Sequence, residues 1–179
     1  AYNYYGFMFD KCDDDTMGDY AIPAGIAAAA IGETLPPGAD PNLLIPTQVL
    51  LWYQQTESTP TLNADLSNLG IIMNVLDGDV SINYADAGGP DVDDTVYRLR
   101  EGIERFLITD INNPAAGAVA QSEVAVMWDS VSILPSGFNH VPGGSNVLYM
   151  DGHVEFQRYP NAKMPVNAAF AFVGYMNRP

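Results

Sequence analysis

A chain that carries HVPGGSNVLYMDGHVEF (residues 140–156) has little choice about its local structure there. Asp151-Gly152 separates two apolar-rich runs, and Asp-Gly in that setting is a strong short-range signal for a β-hairpin. A two-residue type I′ turn at Asp151-Gly152 sets Met150 opposite His153, Tyr149 opposite Val154, Leu148 opposite Glu155 and Val147 opposite Phe156. Strand side chains alternate. Val147, Tyr149, Val154 and Phe156 then form one apolar face, the expected core. Leu148, Met150, His153 and Glu155 form a mixed face, either wet or covered by a partner.

The rest of the chain supplies further elements. Ile22–Ile31 is an alanine-rich helix candidate, ended near Gly32. TQVLLWYQQ (47–55) follows Pro46 and reads as a second short helix or a strand. Residues 71–76 and 80–84 flank Asp77-Gly78-Asp79 as a second hairpin. Residues 94–108 carry Val96, Leu99, Ile103, Phe106 and Leu107 at helical spacing, which predicts a helix capped by Asp93 or Asp94. In EVAVMW (123–128), Val124, Val126 and Trp128 alternate as a strand. The tail 166–174 is apolar enough to pack. These elements predict an α+β fold in which a C-terminal antiparallel sheet packs on the 94–108 helix. A length of 179 residues suits one domain, 1–179, with an acidic part at 1–90 and a scaffold at 91–179.

Charge narrows the function. The net charge is −15, and no Lys or Arg lies between Cys12 and Tyr97. Such a surface repels nucleic acid and anionic lipid. It also repels copies of itself, so self-assembly needs divalent cations or an Arg-to-Asp complementary contact. Arg98, Arg100 and Arg105 are the clustered cations. No window of about 18–20 apolar residues exists to span a bilayer. Cys12 is the single cysteine and reads as a small buried hydrophobe or the half of an intermolecular bridge.

The 140–156 segment resembles the C-terminal signature of the prepilin-type, processing-associated pseudopilin-like family, whose motif is a His, nine residues, then Asp-Gly. Here His140, Asp151 and Gly152 match it, with ten residues between His140 and Asp151. YRLREGIERFLITDINNP (97–114) is similar to a second phrase of that family. The resemblance implies kinship with type IV pilins and type II secretion pseudopilins. It implies a pilin-like globular domain, an extracellular or cell-envelope location and, in some relatives, a bound calcium. It also implies an N-terminal hydrophobic helix, which AYNYYGFMFDKCDDD (1–15) does not supply; the expectation is a subunit from which that helix is removed or one that assembles without it.

Calcium needs clustered oxygen ligands. Asp13, Asp15 and Asp19 form one candidate group with Asp14; Asp91 and Asp93 form another with Asp94. The first is no EF-hand, since Met17 and Ala24 occupy two ligand positions. Solvated acidic turns are the simpler reading of each group. His140 and His153 lack the companions of a zinc site, and His140 reads as a structural hydrogen-bonding group that fixes the Gly143-Gly144 loop. No nucleophile elbow, P-loop or dinucleotide fingerprint is present. The leading expectation is therefore a non-enzymatic filament subunit, a homo-oligomer or a partner of other pilin-like subunits. Arg98, Arg100, Arg105, Leu148, Met150 and His153 are its candidate interface. The rival is a secreted cargo- or glycan-binding module using Tyr2, Tyr4, Tyr5, Trp52 and Tyr53. A calcium-dependent hydrolase ranks last.

Overall fold

The computed structural model describes residues 2–30, 32–56, 77–103, 121–140 and 143–176. In chain order the main elements are β1 (Tyr2–Asn3), β2 (Phe7–Met8), β3 (Ala21–Pro23), α1 (Ala24–Ala30), β4 (Leu44–Pro46) and α2 (Thr47–Thr56). They continue with β5 (Val80–Asn83), β6 (Asp93–Arg98), β7 (Ala125–Asp129), β8 (Gly144–Tyr149), β9 (Val154–Arg158) and α3 (Ala168–Met176). The fold is α+β with antiparallel strand pairs. The chain divides into two compact units, residues 9–98 and residues 1–8 with 99–179.

In the 9–98 unit, β3 and β4 pair with Ile22 opposite Ile45. Each strand runs directly into a helix, α1 and α2. Residues 47–55 are therefore helical, and Pro46, the last residue of β4, immediately precedes the helix. α2 buries Val49, Leu50, Leu51 and Trp52, and Trp52 meets Phe9 edge to face with centroids 5.4 Å apart. α2 packs on β5 and on the short 3-10 turn Tyr84–Ala87.

Residues 93–98 are not helical. They form β6, which pairs antiparallel with β5, Val80 facing Val96 and Asn83 facing Asp93. Thr95, Val96 and Tyr97 are three consecutive residues that favour a pleated surface. That local preference, with β5 available as a partner, outweighs the helical spacing of Val96, Leu99 and Ile103. Residues 99–103 turn, with Gly102 at φ +80. Positions 104–108 of the expected helix, Arg105 among them, lie outside the described residues, as do residues 71–76 of the expected second hairpin.

In the other unit, four antiparallel strands run β1-β7-β8-β9. The helix on this sheet is α3: Phe170 meets Trp128 at 5.5 Å and Tyr5 at 6.2 Å between centroids. Ala169, Phe170, Ala171, Phe172, Val173 and Tyr175 are all buried, so α3 is enclosed rather than half exposed. Asn167 caps it, its Oδ1 accepting from the Phe170 N–H at 2.8 Å. A Cβ on Gly174 would stand 2.2 Å from the Val131 carbonyl oxygen, so the helix lies directly against backbone.

The hairpin exists, one residue out of the expected register. Tyr149 N–H donates to His153 O at 3.0 Å and Gly152 N–H to Tyr149 O at 2.9 Å. The loop is Met150-Asp151-Gly152, with Gly152 at φ +90. This is the three-residue hairpin in which a turn is followed by a left-handed glycine. Leu148 thus faces Val154, Val147 faces Glu155 and Asn146 faces Phe156. A one-residue slip moves a strand's side chains to the other face. Ser145, Val147, Tyr149 and Gln157 are buried, whereas Val154 and Phe156 are 62% and 53% exposed. A bulge between Ala125 and Met127 breaks the expected alternation of β7 as well, so Ala125 and Trp128 are buried and Met127 is exposed.

Candidate functional site

The loop that carries His140 closes on Asp129, the last residue of β7. Asp129 is 3% exposed. Its carboxylate accepts from Asn146 N–H at 3.1 Å, Asn146 Nδ2 at 2.8 Å and Asn139 Nδ2 at 3.2 Å, and His140 Nε2 lies 2.8 Å away. Burial alone would raise its pKa; the donors from Asn146, Asn139 and His140 outweigh it and hold the carboxyl below the usual range. Gly144 completes the corner. Its φ is +158, and a Cβ there would stand 2.5 Å from Phe156 Cζ and 2.7 Å from Gln157 O. His140 stands edge-on to the Phe156 ring at 5.9 Å.

An Asp–His pair is also the core of many acid–base sites. Here the Ser145 hydroxyl is turned to the main-chain carbonyls of Asp129 (3.1 Å) and Asn146 (3.2 Å). The Asp129–His140 bond ties the His140 loop to the end of β7. Asp129 is an anchor of this loop that pattern reading missed. Its signal was an acid closing an apolar strand one residue after a tryptophan.

His140 and Asp151 do not converge. His140 packs at the Gly144 end of β8, and Asp151 lies in the turn at the far end. Asp151 Oδ1 accepts from His153 N–H at 3.0 Å and sits 2.6 Å from His153 Nδ1. These two bonds hold its carboxyl below the usual range. His153 stacks on Tyr149, centroids 4.4 Å apart, and the Gln157 amide donates to the Tyr149 hydroxyl.

The candidate interface residues are redistributed by the register. Leu148 belongs to the outer face, directly between Met127 and Val154. His153 lies on the inner side with Tyr149, and Met150 sits in the turn, its N–H on the Val124 carbonyl at 3.0 Å. Met127, Leu148 and Val154 therefore run as an apolar row across three strands. Arg98 ends β6, its N–H donating to Asp79 at 2.9 Å. Arg100 is an exposed turn residue. The two arginines are thus a strand end and a turn, not neighbours on a helix.

Neither acidic group is a cage. Asp13 closes a turn with Thr16, while Asp15 and Asp19 are exposed. The Asn83 amide donates to both Asp91 (2.9 Å) and Asp93 (3.0 Å). Asp94, one residue on in the strand, points elsewhere and is neither a cap nor a partner of those two. It accepts from Tyr84 Oη at 2.5 Å and from Gln48 Nε2 at 3.3 Å, and pairs with Lys11 Nζ at 3.1 Å. Among the described residues no three His, Cys, Asp or Glu side chains converge on a cation position. Cys12 is fully buried, its thiol donating to Gln48 Oε1 at 3.8 Å. Of the candidate recognition aromatics, Tyr2 and Tyr4 are exposed, Tyr5 packs edge-on against Trp128 and Trp52 is core.

Comparison with known protein families, with curated proteins and with solved structures finds no match to this chain.

Proposed function

We propose that this chain is a non-enzymatic structural subunit of a pilin-like or secretion-associated filament, working in the cell envelope or outside it. The observation that carries the reading is the outer face of the four-stranded sheet. Met127, Leu148 and Val154 stand side by side on β7, β8 and β9, with Phe156 beside them. Three of these four are large exposed apolar residues. An apolar row on neighbouring strands is a surface for protein contact. The resemblance of residues 140–156 to the pseudopilin-like signature supplies the kind of assembly.

Assembly must offset the charge of −15. Apolar burial on this row is one contribution; calcium as a counter-ion, and Arg98 and Arg100 against acidic turns, are the others. Electron microscopy of the purified protein, in low salt, physiological salt, calcium and chelator, tests the reading. Filaments or ordered oligomers are expected, and Met127→Lys should abolish them while the circular dichroism spectrum stays native. A monodisperse monomer in every condition would overturn the proposal.

A second reading has one observation of its own. Tyr2 and Tyr4 are 75% and 53% exposed, which suits a glycan- or cargo-binding strip. Ligand-dependent quenching of tyrosine fluorescence, lost in Tyr2→Ala/Tyr4→Ala, would favour it.

A further inference from the structure

Among the described strands β9 closes its sheet, and its edge lacks three of the usual protections, a bulge, a proline and a lysine, Glu155 being its one charge on the inner side. Edge strands avoid pairing by bulges, by prolines or by inward-pointing charges, lysine above all. Val154–Arg158 reads VEFQR, pairs with β8 without a bulge and contains neither Pro nor Lys. Pro160 lies two residues beyond it and bounds the segment.

The hydrogen-bonding phase of the hairpin says which groups face the edge. Tyr149 N–H bonds His153 O, and Tyr159 N–H bonds Gly143 O. Paired residues of an antiparallel ladder alternate between bonded and non-bonded sites. Residues 153, 155, 157 and 159 therefore direct their main-chain groups at β8. Val154, Phe156 and Arg158 direct theirs outward, three N–H and three C=O groups in all.

We infer that this edge pairs with the same edge of a second copy, about a two-fold axis through Phe156. An axis normal to the sheet keeps outer faces together, so paired positions must share parity. Three registers bond at least two of the three outward-facing residues. With Phe156 opposite Phe156 of the partner subunit, all three outward-facing residues are bonded, for six main-chain hydrogen bonds. A shift of two in either direction leaves four. One of those shifts also sets Glu155 against its own copy, a like-charge pair that destabilises. The Phe156 register instead sets Glu155 against Gln157, and Val154 against Arg158. Glu155 and Arg158 cancel within the strand, so in a chain of −15 this edge is locally neutral. Self-pairing thus meets complementary bonding and little of the repulsion that opposes contact elsewhere. The Phe156 ring already leans over Gly144 of its own sheet, and Val154 and the stem of Arg158 make the new side-chain contact. The result is one continuous sheet through two copies. This pairing does not rest on the filament reading, since a closed two-fold dimer forms with or without further assembly.

Sedimentation equilibrium of the full chain over a wide concentration range tests it, with Val154→Lys and Val154→Glu as the variants. The wild type should show a monomer–dimer equilibrium. Val154→Lys sets a cation against Arg158 at both ends of the pairing and should weaken the dimer by about 2- to 30-fold. Val154→Glu sets an acid against Arg158 at both ends and should tighten it by a similar factor. Net charge alone argues the opposite, because Val154→Lys brings the chain nearer neutrality and Val154→Glu takes it further away. Loss of the outer apolar row alone would weaken association in both variants. Opposite effects in the stated sense, with amide exchange at Val154, Phe156 and Arg158 slowing as concentration rises, support the pairing. A monomer throughout, or two variants shifted in the same direction, overturns it.

Discussion

Asp129→Ala is the sharpest test of what holds the hairpin base. The carboxylate accepts three hydrogen bonds from two residues, Asn146 twice and Asn139 once, and faces His140. The side chains of Asn139 and His140 are exposed enough to turn to water. The N–H and Nδ2 of Asn146 are held toward the buried site and would lose their acceptor. Each such loss costs about 1–3 kcal/mol, so Asp129→Ala should destabilise by about 2–5 kcal/mol, a large part of the roughly 5–15 kcal/mol that holds a typical domain together. His140→Ala removes one accessible partner and should cost about 1 kcal/mol. Urea unfolding read by Trp128 fluorescence in a Trp52→Phe background reports the neighbouring residue directly. The sign of the pH effect is also fixed. Asp129's folded pKa is depressed, so its contribution is complete above its unfolded value, about 3.9, and is lost as pH falls through the lower folded value. Asp129→Asn should flatten that acid limb. An Asp129→Ala protein within about 0.5 kcal/mol of wild type, or an unchanged acid limb in Asp129→Asn, would refute the reasoning.

Other outcomes follow from single contacts. Gly174→Ala should destabilise by about 1–3 kcal/mol or more, because its methyl meets the Val131 carbonyl and not a movable side chain; Gly152→Ala, with open space around it, should cost only about 1 kcal/mol for its positive φ. Thermal melts of the pair separate the two causes. Asn167→Ala removes the cap of a fully buried helix end and should cost about 1–2 kcal/mol in urea unfolding. Tyr84→Phe removes a donor from Asp94. Burial pushes Asp94 up, but Tyr84, Lys11 and the Thr95 N–H outweigh it and hold it low. Its contribution is therefore present above about pH 4 and lost below. The variant should be about 1–2 kcal/mol less stable at neutral pH, with a shallower acid limb in a pH series of melts.

The hairpin was legible as a hairpin because Asp-Gly allows few alternatives. Its register was not, because both the two-residue and the three-residue loop place glycine at positive φ. What selects between them is the face that Ser145, Val147 and Tyr149 present to the core, a tertiary requirement. The helix of 47–56 was legible only as one of two readings, helix or strand, after Pro46. β6 was misread because Val96, Leu99 and Ile103 fit a helical stripe, while the signal for a strand lay in Thr95-Val96-Tyr97. In the site, His140 was recognisable and its acceptor was not, since a carboxylate eleven positions away carries no spacing rule. The Lys11–Asp94–Tyr84 network was invisible for the same reason: its members come from three separate stretches of chain.

The division of the chain has a consequence for how it is made. The unit that carries the hairpin is written in two pieces, residues 1–8 and 99–179, and the Leu99 N–H closes on the Gly6 carbonyl at 2.9 Å where they meet. Residues 9–98 are in effect an insert that leaves and returns at one point. During synthesis the insert is contiguous and can collapse as soon as it emerges. The frame around it must wait, because β1 pairs with β7 and Tyr5 packs on Phe170, contacts more than 120 residues apart. Such long-range closure is slow. The frame is complete only when α3 has been made.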